Sequence, residues 1–161
     1  MKKVAVDACL SPRFSGVLNA MYGKHGYEFI DVRSLGGGDD VIWADTFKRF
    51  GGEIVLSGDW HIAARPHEAV AFIDNGFKSF FPEQAWHKLT IQMQVAYISH
   101  QWGLLMEQLD SIPNGSCWRM GISYRAEKLT LGKHLSLKRL EIPSAVLDRQ
   151  RATATGGKSR S

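Results

Sequence analysis

The chain has 161 residues, of which 44% are hydrophobic and 22% are charged. This is the length of one domain that can bury its own core, and the apolar fraction is too high for a wholly disordered chain. No segment approaches the roughly 18 consecutive apolar residues of a membrane span, and two cysteines are too few for a disulfide framework. Composition therefore predicts a protein of the reducing cytoplasm, with no membrane segment and no signal peptide.

The net charge of +4 is distributed unevenly along the chain. Residues 1–118 carry 10 basic and 13 acidic side chains, whereas residues 119–161 carry 10 basic and 3 acidic ones. An acidic body can hold cations while a basic end contacts polyanions. On charge alone, a solvated basic edge is the simpler interpretation.

Short apolar runs and helical patterns alternate along the first two thirds of the chain. The predicted strands are 3–9, 27–33, 53–57 and 77–81. The predicted helices start at Pro12, cover 40–50, start again at Pro66, and cover 83–109. This alternation is typical of an α/β three-layer sandwich, in which a mainly parallel sheet carries helices on both faces.

The pattern weakens after residue 115. Residues 117–124 are a candidate fifth strand, and residues 128–142 a candidate strand pair or arm. Residues 151–161 have no apolar periodicity, which predicts a disordered tail. The predicted organisation is a domain over 1–124, a basic extension over 125–150 that is part of the same domain or an arm, and a tail over 151–161.

Three acidic positions fall at the predicted carboxyl ends of strands or just after them. Asp7 lies in the first strand, Asp59 follows the third, and Asp40, beside Asp39, starts a helix. Ligands bind at the carboxyl ends of strands in open parallel sheets, so these acids converge if the first and third strands are neighbours. Clustered carboxylates normally need a cation, and oxygen ligands favour Mg²⁺ or Mn²⁺. Such a site suits phosphodiester hydrolysis.

Each of these acids also has a purely structural interpretation. Asp39 and Asp40 are typical residues at a helix start, and Asp59 is an ordinary turn residue. Asp7 is harder to explain in this way, because a carboxylate in an apolar strand is costly without a partner. Residue patterns alone leave both interpretations open.

The segment DACLSPRF, a strand with Asp7 near its end followed by a helix start, resembles the beginning of the PIN-like domains, relatives of the VapC-type toxin ribonucleases. GGGDDVIWA, VLSGDWHI and RPHEAVAFIDNGFKSFF are similar to later parts of the family pattern, in the same order. The resemblance covers 3–81 and extends loosely to about 109. It implies a PIN-like, Rossmann-like fold, Mg²⁺-dependent hydrolysis of RNA, and an antitoxin protein as partner.

By this resemblance, the catalytic and metal-binding acids are Asp7, Asp40 and Asp59. Asp40 is favoured over Asp39 because an apolar residue then follows three positions on. His61 stands where many relatives have a fourth acid, which leaves open the number of metal ions and the activity itself. The secondary candidates at this site are Asp39, His61 and Ser11, although Ser11 is equally explained as a helix cap.

Several basic side chains are candidate contacts for an RNA substrate. These are Arg13, Arg65, Arg119, Arg125 and Lys128. Aromatic residues along 83–109 are explained as core, and the same stripe suits a homodimer or an antitoxin helix. Cys9 lacks an orienting group for thiol chemistry and is predicted to be a buried strand cysteine. The alternative functions are a non-catalytic PIN-like module that binds RNA or protein, and a nuclease directed at DNA or at flaps.

Overall fold

A mainly parallel six-stranded sheet forms the centre of the fold, as a computed structural model of the chain shows. The structure describes residues 1–7, 9–36 and 40–158, without the side chains of residues 40, 63 and 154–158. The strands are β1 (Lys2–Val6), β2 (Tyr27–Asp31), β3 (Gly52–Leu56), β4 (Lys78–Pro82), β5 (Ser116–Met120), β6 (Ser123–Arg125), β7 (Lys128–Thr130) and β8 (Leu137–Arg139). The order in the main sheet is β2-β1-β3-β4-β5-β8, and β8 is antiparallel to β5. The strands β6 and β7 form a separate hairpin.

Helices pack on both faces of this sheet, so the predicted α/β sandwich is confirmed. The helices are α1 (Arg13–Tyr22), α2 (Asp40–Arg49), α3 (Pro66–Asp74), α4 (Ile91–Leu105) and α5 (Ser144–Lys158). The side chains of β1 alternate between the two faces, as in any strand. Val4 and Val6 pack with α1 and α4, whereas Ala5 packs with α2 and α3.

The register of the parallel strands fixes the position of the site. Val6 lies opposite Leu56 of β3, so β1 and β3 are parallel neighbours that end at the same edge of the sheet. The strands β4 and β5 also end at this edge, with Pro82 opposite Met120. The loops that follow these strands therefore meet at one place, which we call the carboxyl edge.

The single long helix predicted over 83–109 is wrong. The structure has a 3-10 helix at Gln84–Lys88, a break at Leu89, and then α4. Thr90 caps α4, because its Oγ1 accepts a hydrogen bond from the backbone N–H of Met93 at 3.3 Å. A threonine in extended conformation that caps a following helix also ends any helix before it.

The predicted strand over 117–124 is divided at Gly121. The Gly121 N–H donates to the carbonyl of Ser136, and a Cβ at Gly121 would lie 2.9 Å from that serine side chain. Glycine is therefore needed where the chain leaves the sheet and turns into the β6–β7 hairpin. The segment 128–142 does supply two strands, but β7 pairs with β6 and β8 pairs with β5.

Residues 151–158, which the sequence assigns to a disordered tail, belong to α5 in the structure, and the rest of the predicted tail, 159–161, lies outside the described residues. Arg151 of α5 forms an exposed ion pair with Asp74 of α3, with Nε to Oδ2 at 3.1 Å, where the two helices contact each other. Smaller differences occur elsewhere. The helix α1 starts at Arg13 instead of Pro12, and β1 ends at Val6, so Asp7 and Cys9 follow the strand.

Among the described residues, no helix is both long and apolar enough to cross a membrane.

Candidate active site at the carboxyl edge

Asp7 and Asp59 face one open cavity of about 320 Å³ at the carboxyl edge. Asp7 directly follows β1, and its N–H donates to the carbonyl of Leu56 at 3.0 Å. Asp59 lies three residues after β3. The cavity is also lined by Cys9, Gly58, Trp60, His61 and Arg65. The structure therefore brings together two of the three acids that the sequence places at this site.

Ser57 connects the two carboxylate-bearing segments. Its side chain is completely buried. The Ser57 Oγ donates to Oδ2 of Asp7 at 2.8 Å, and the Ser57 Oγ also accepts from the N–H of Asp59 at 3.0 Å. Sequence reasoning missed this residue, although it is the serine of the VLSGD motif. Ser57 thus orients one acid directly and fixes the backbone that carries the other.

Asp7 lies in a pocket of hydrogen-bond donors and is only 8% exposed. The thiol of Cys9 donates to its Oδ2 at 3.4 Å, and the Cys9 Sγ accepts from the N–H of Gly58 at 3.2 Å. Burial of the Cys9 thiol raises its pKa to about 12, and the negative charge of Asp7 is the second cause of this rise. The thiol is therefore protonated at neutral pH and is not a nucleophile. The prediction that Cys9 is a buried strand cysteine is wrong, because the residue follows β1 and is exposed as a whole, although its thiol packs against Asp7 and Gly58.

Asp59 is held by its own loop. Its Oδ1 accepts from the N–H of His61 at 2.8 Å, and its Oδ2 lies 3.2 Å from Nη1 of Arg65. The same guanidinium lies 3.7 Å from Glu68, and the His61 Nδ1 is 3.8 Å from the Asp59 carboxylate. Arg65 is about half exposed, so it supplies positive charge beside Asp59 at the cavity surface.

Other predicted site residues lie outside this cavity or outside the described part of the chain. Asp40 is the first residue of α2, but its side chain and all of Asp39 are outside the described residues. Ser11 lies one residue before Pro12, the N-cap of α1, and its Oγ accepts a long hydrogen bond from the N–H of Arg13 at 3.4 Å. Arg13 itself is exposed on the first turn of α1.

The basic candidates after residue 118 have different surroundings. Arg119 Nη1 donates to the carbonyls of Trp60 and Pro82, both at 2.9 Å, so this side chain ties the loop after β3 to β4. Arg125 and Lys128 are exposed on the β6–β7 hairpin, which starts just after β5 reaches the carboxyl edge. The sequence does not separate the structural arginine from the two exposed cations.

The donor set in the cavity suits a hard cation. Two carboxylates face it, and carboxylate oxygens are the ligands that Mg²⁺ and Mn²⁺ prefer. Among the side chains that the structure describes, no three acids, histidines or cysteines form a group that could hold a metal ion. The predicted third ligand, Asp40, has its side chain outside the described residues, so its place at this site stays a prediction.

Comparison with known protein families decides the classification. A family model described as a PIN like domain matches residues 2–84, which is just over half of the chain. The chain belongs to the PIN-like domain family. A search of curated proteins and a search of solved structures each gave no significant match.

The matched part of this PIN-like domain runs from β1 to just beyond β4 and includes both Asp7 and Asp59. PIN domains are generally nucleases, which supports a hydrolase activity for this chain. Residues 85–161, with α4, the β6–β7 hairpin and α5, lie outside the match.

Proposed function

We propose that this PIN-like domain is a Mg²⁺- or Mn²⁺-dependent endoribonuclease of the cytoplasm, with Asp7, Asp40 and Asp59 as the residues that hold the ion. The observation that carries the proposal is the convergence of Asp7 and Asp59 on one open cavity at the carboxyl edge, joined through Ser57. This is where an open parallel sheet binds its ligands.

An ion held by Asp7, Asp40 and Asp59 would neutralise charge on the scissile phosphate and lower the pKa of a water molecule. The chain's own residues hold and orient the groups around it. Ser57 fixes the Asp7 carboxylate, and the His61 N–H fixes that of Asp59. Arg65, half exposed at the cavity surface, is placed to contact a phosphate oxygen.

Gly58 shapes the floor of this cavity. A Cβ at this position would lie 2.7 Å from Leu10 and 3.1 Å from the indole nitrogen of Trp86, which is itself buried. A side chain at this position would enter the core and displace these residues, so glycine lets the loop between Ser57 and Asp59 pack closely on the core.

RNA as substrate is supported by exposed cations. Arg65 lines the cavity, and Arg125 and Lys128 are exposed on the β6–β7 hairpin that follows β5. We extend the proposal to the toxin of a toxin–antitoxin pair, in which an antitoxin protein covers the cavity. A homodimer is compatible with this role.

A non-catalytic module that binds RNA or protein is the second candidate function. It is favoured by His61, an exposed imidazole that stands where relatives have a further acid. It is also favoured by Arg65, which takes up part of the negative charge that would otherwise attract a metal ion. In that case the same surface binds RNA without cleaving it.

Parallel assays test the proposed activity. We expect the purified chain to cut single-stranded RNA with Mg²⁺ or Mn²⁺ and to be inactive with EDTA. Cutting of single-stranded or branched DNA alone would redirect the proposal to a DNA nuclease. If no substrate is cut with either metal, the catalytic proposal is wrong. Growth arrest on expression, relieved by the product of an adjacent gene, would support the toxin role.

A further inference from the structure

Trp60 places an aromatic surface at the mouth of the acidic cavity. It directly follows Asp59, lines the cavity and is partly exposed. The His61 ring lies against it at 3.5 Å between centroids and 34° between planes, and the His87 ring is stacked at 5.9 Å and 27°. Both histidines are exposed. We call Trp60, His61 and His87 the aromatic platform.

Contacts with β4 and with the core hold the loop that carries Trp60 of the aromatic platform. Arg119 donates to the carbonyl of Trp60 and to that of Pro82, so the loop cannot move independently of β4. Two residues beyond Trp60, Ile62 is 1% exposed and anchors the loop in the core between the sheet and α3. A loop backbone that is fixed in this way needs little reordering when its side chains contact a ligand.

The core does not account for Trp60. Among the described residues, Trp43, Trp86 and Trp102 are buried in the two cores, whereas Trp60 belongs to neither. A large aromatic side chain that is left partly exposed beside a functional cavity is typical of a contact surface for a ligand with a flat face.

We propose that the aromatic platform stacks an unpaired base of the nucleic acid whose phosphate lies at the Asp7–Asp59 cavity. Every base has a flat π face, so stacking on the exposed rings of this platform tolerates any sequence but requires that the base be unpaired. Trp60 is the central ring of this substrate-binding surface, because both exposed histidine rings pack against it. This inference rests on the proposed function for the position of the phosphate, but it predicts binding that needs no metal ion.

The test measures binding by fluorescence anisotropy of a labelled single-stranded oligoribonucleotide, in EDTA so that no cleavage occurs. Loss of one stacked base costs about 1–3 kcal/mol, which corresponds to an affinity about five- to 150-fold lower. We expect this loss in Trp60→Ala, and we expect Trp60→Phe to keep most of the affinity. A blunt RNA duplex should bind the wild type and Trp60→Ala equally.

Phe50→Ala is the matched control, because Phe50 is also an exposed aromatic residue but lies just before β3, at the opposite edge of the sheet. It should bind single-stranded RNA like the wild type. The wild type should bind an oligonucleotide that lacks the stacked base at one abasic position more weakly than the intact strand. Trp60→Ala should bind both oligonucleotides with the same affinity.

Equal affinities of wild type and Trp60→Ala would overturn the platform, as would a wild type that fails to bind single strands. If Trp60→Ala does not fold, the abasic series on the wild type and Trp60→Phe decides in its place. Binding that depends on Trp60 without any cleavage would retain the platform and reject the nuclease. If Trp60→Ala cleaves RNA and binds single strands as tightly as the wild type, the nuclease is retained and the platform is rejected.

Discussion

Asp7→Asn is expected to lower the rate of Mg²⁺-dependent RNA cleavage at least about 100-fold. Losing only a hydrogen-bonding neighbour of a metal ligand costs about 10–100-fold in metal affinity or activity, and this substitution removes a ligand's charge altogether. Asparagine keeps the size of the side chain and an oxygen that can accept from Ser57 at the Oδ2 position. The fold should therefore persist, as circular dichroism would show.

Asp110→Asn is the matched control for this variant. Asp110 is 95% exposed at its side chain and pairs with Lys2, near the opposite edge of the sheet. A surface ion pair of this kind contributes little to stability, so cleavage should match the wild type. Cleavage by Asp7→Asn at the wild-type rate would remove the proposed chemistry.

Trp102→Ala should reduce the free energy of unfolding by about 3–5 kcal/mol, the range for truncating a large buried aromatic side chain. Trp102 lies on α4, is 1% exposed, and packs edge-to-face against Tyr27 and Phe29 of β2. Its indole nitrogen has no hydrogen-bond partner among the described residues, so the substitution breaks no hydrogen bond. We expect the effect to lie near the lower end of the range.

Urea denaturation followed by circular dichroism measures this change. The control is Phe50→Ala, which removes a side chain that is 60% exposed and should change stability by no more than about 0.5 kcal/mol. If Trp102→Ala were as stable as this control, the packing of α4 on β2 would not be a main source of stability.

The arrangement of β1 to β4 and α1 to α3 was predictable because each element carries a local signal. Apolar runs mark the strands, and Pro66 opens α3. Parallel strands that are neighbours must end at a common edge, and this rule alone brings Asp7 and Asp59 together once β1 and β3 are adjacent.

The remaining features of the site depend on contacts between distant residues. Arg119 reaches the carbonyl of Trp60 across 59 positions of the chain, and periodicity carries no information on such a contact. Ser57 was visible as part of a motif, but its two hydrogen bonds appear only when β1 and β3 pair. The break at Leu89, just before the Thr90 cap, was hidden because the apolar spacing continues across it.

Titration calorimetry with Mn²⁺ on the wild type and on Asp59→Asn tests the central claim most directly, because it asks only whether the paired acids bind a hard cation. We predict saturable binding of one or two ions to the wild type and strongly weakened binding to Asp59→Asn. Absence of binding to the wild type at millimolar Mn²⁺, or equal binding to both proteins, would contradict a metal centre at Asp7 and Asp59.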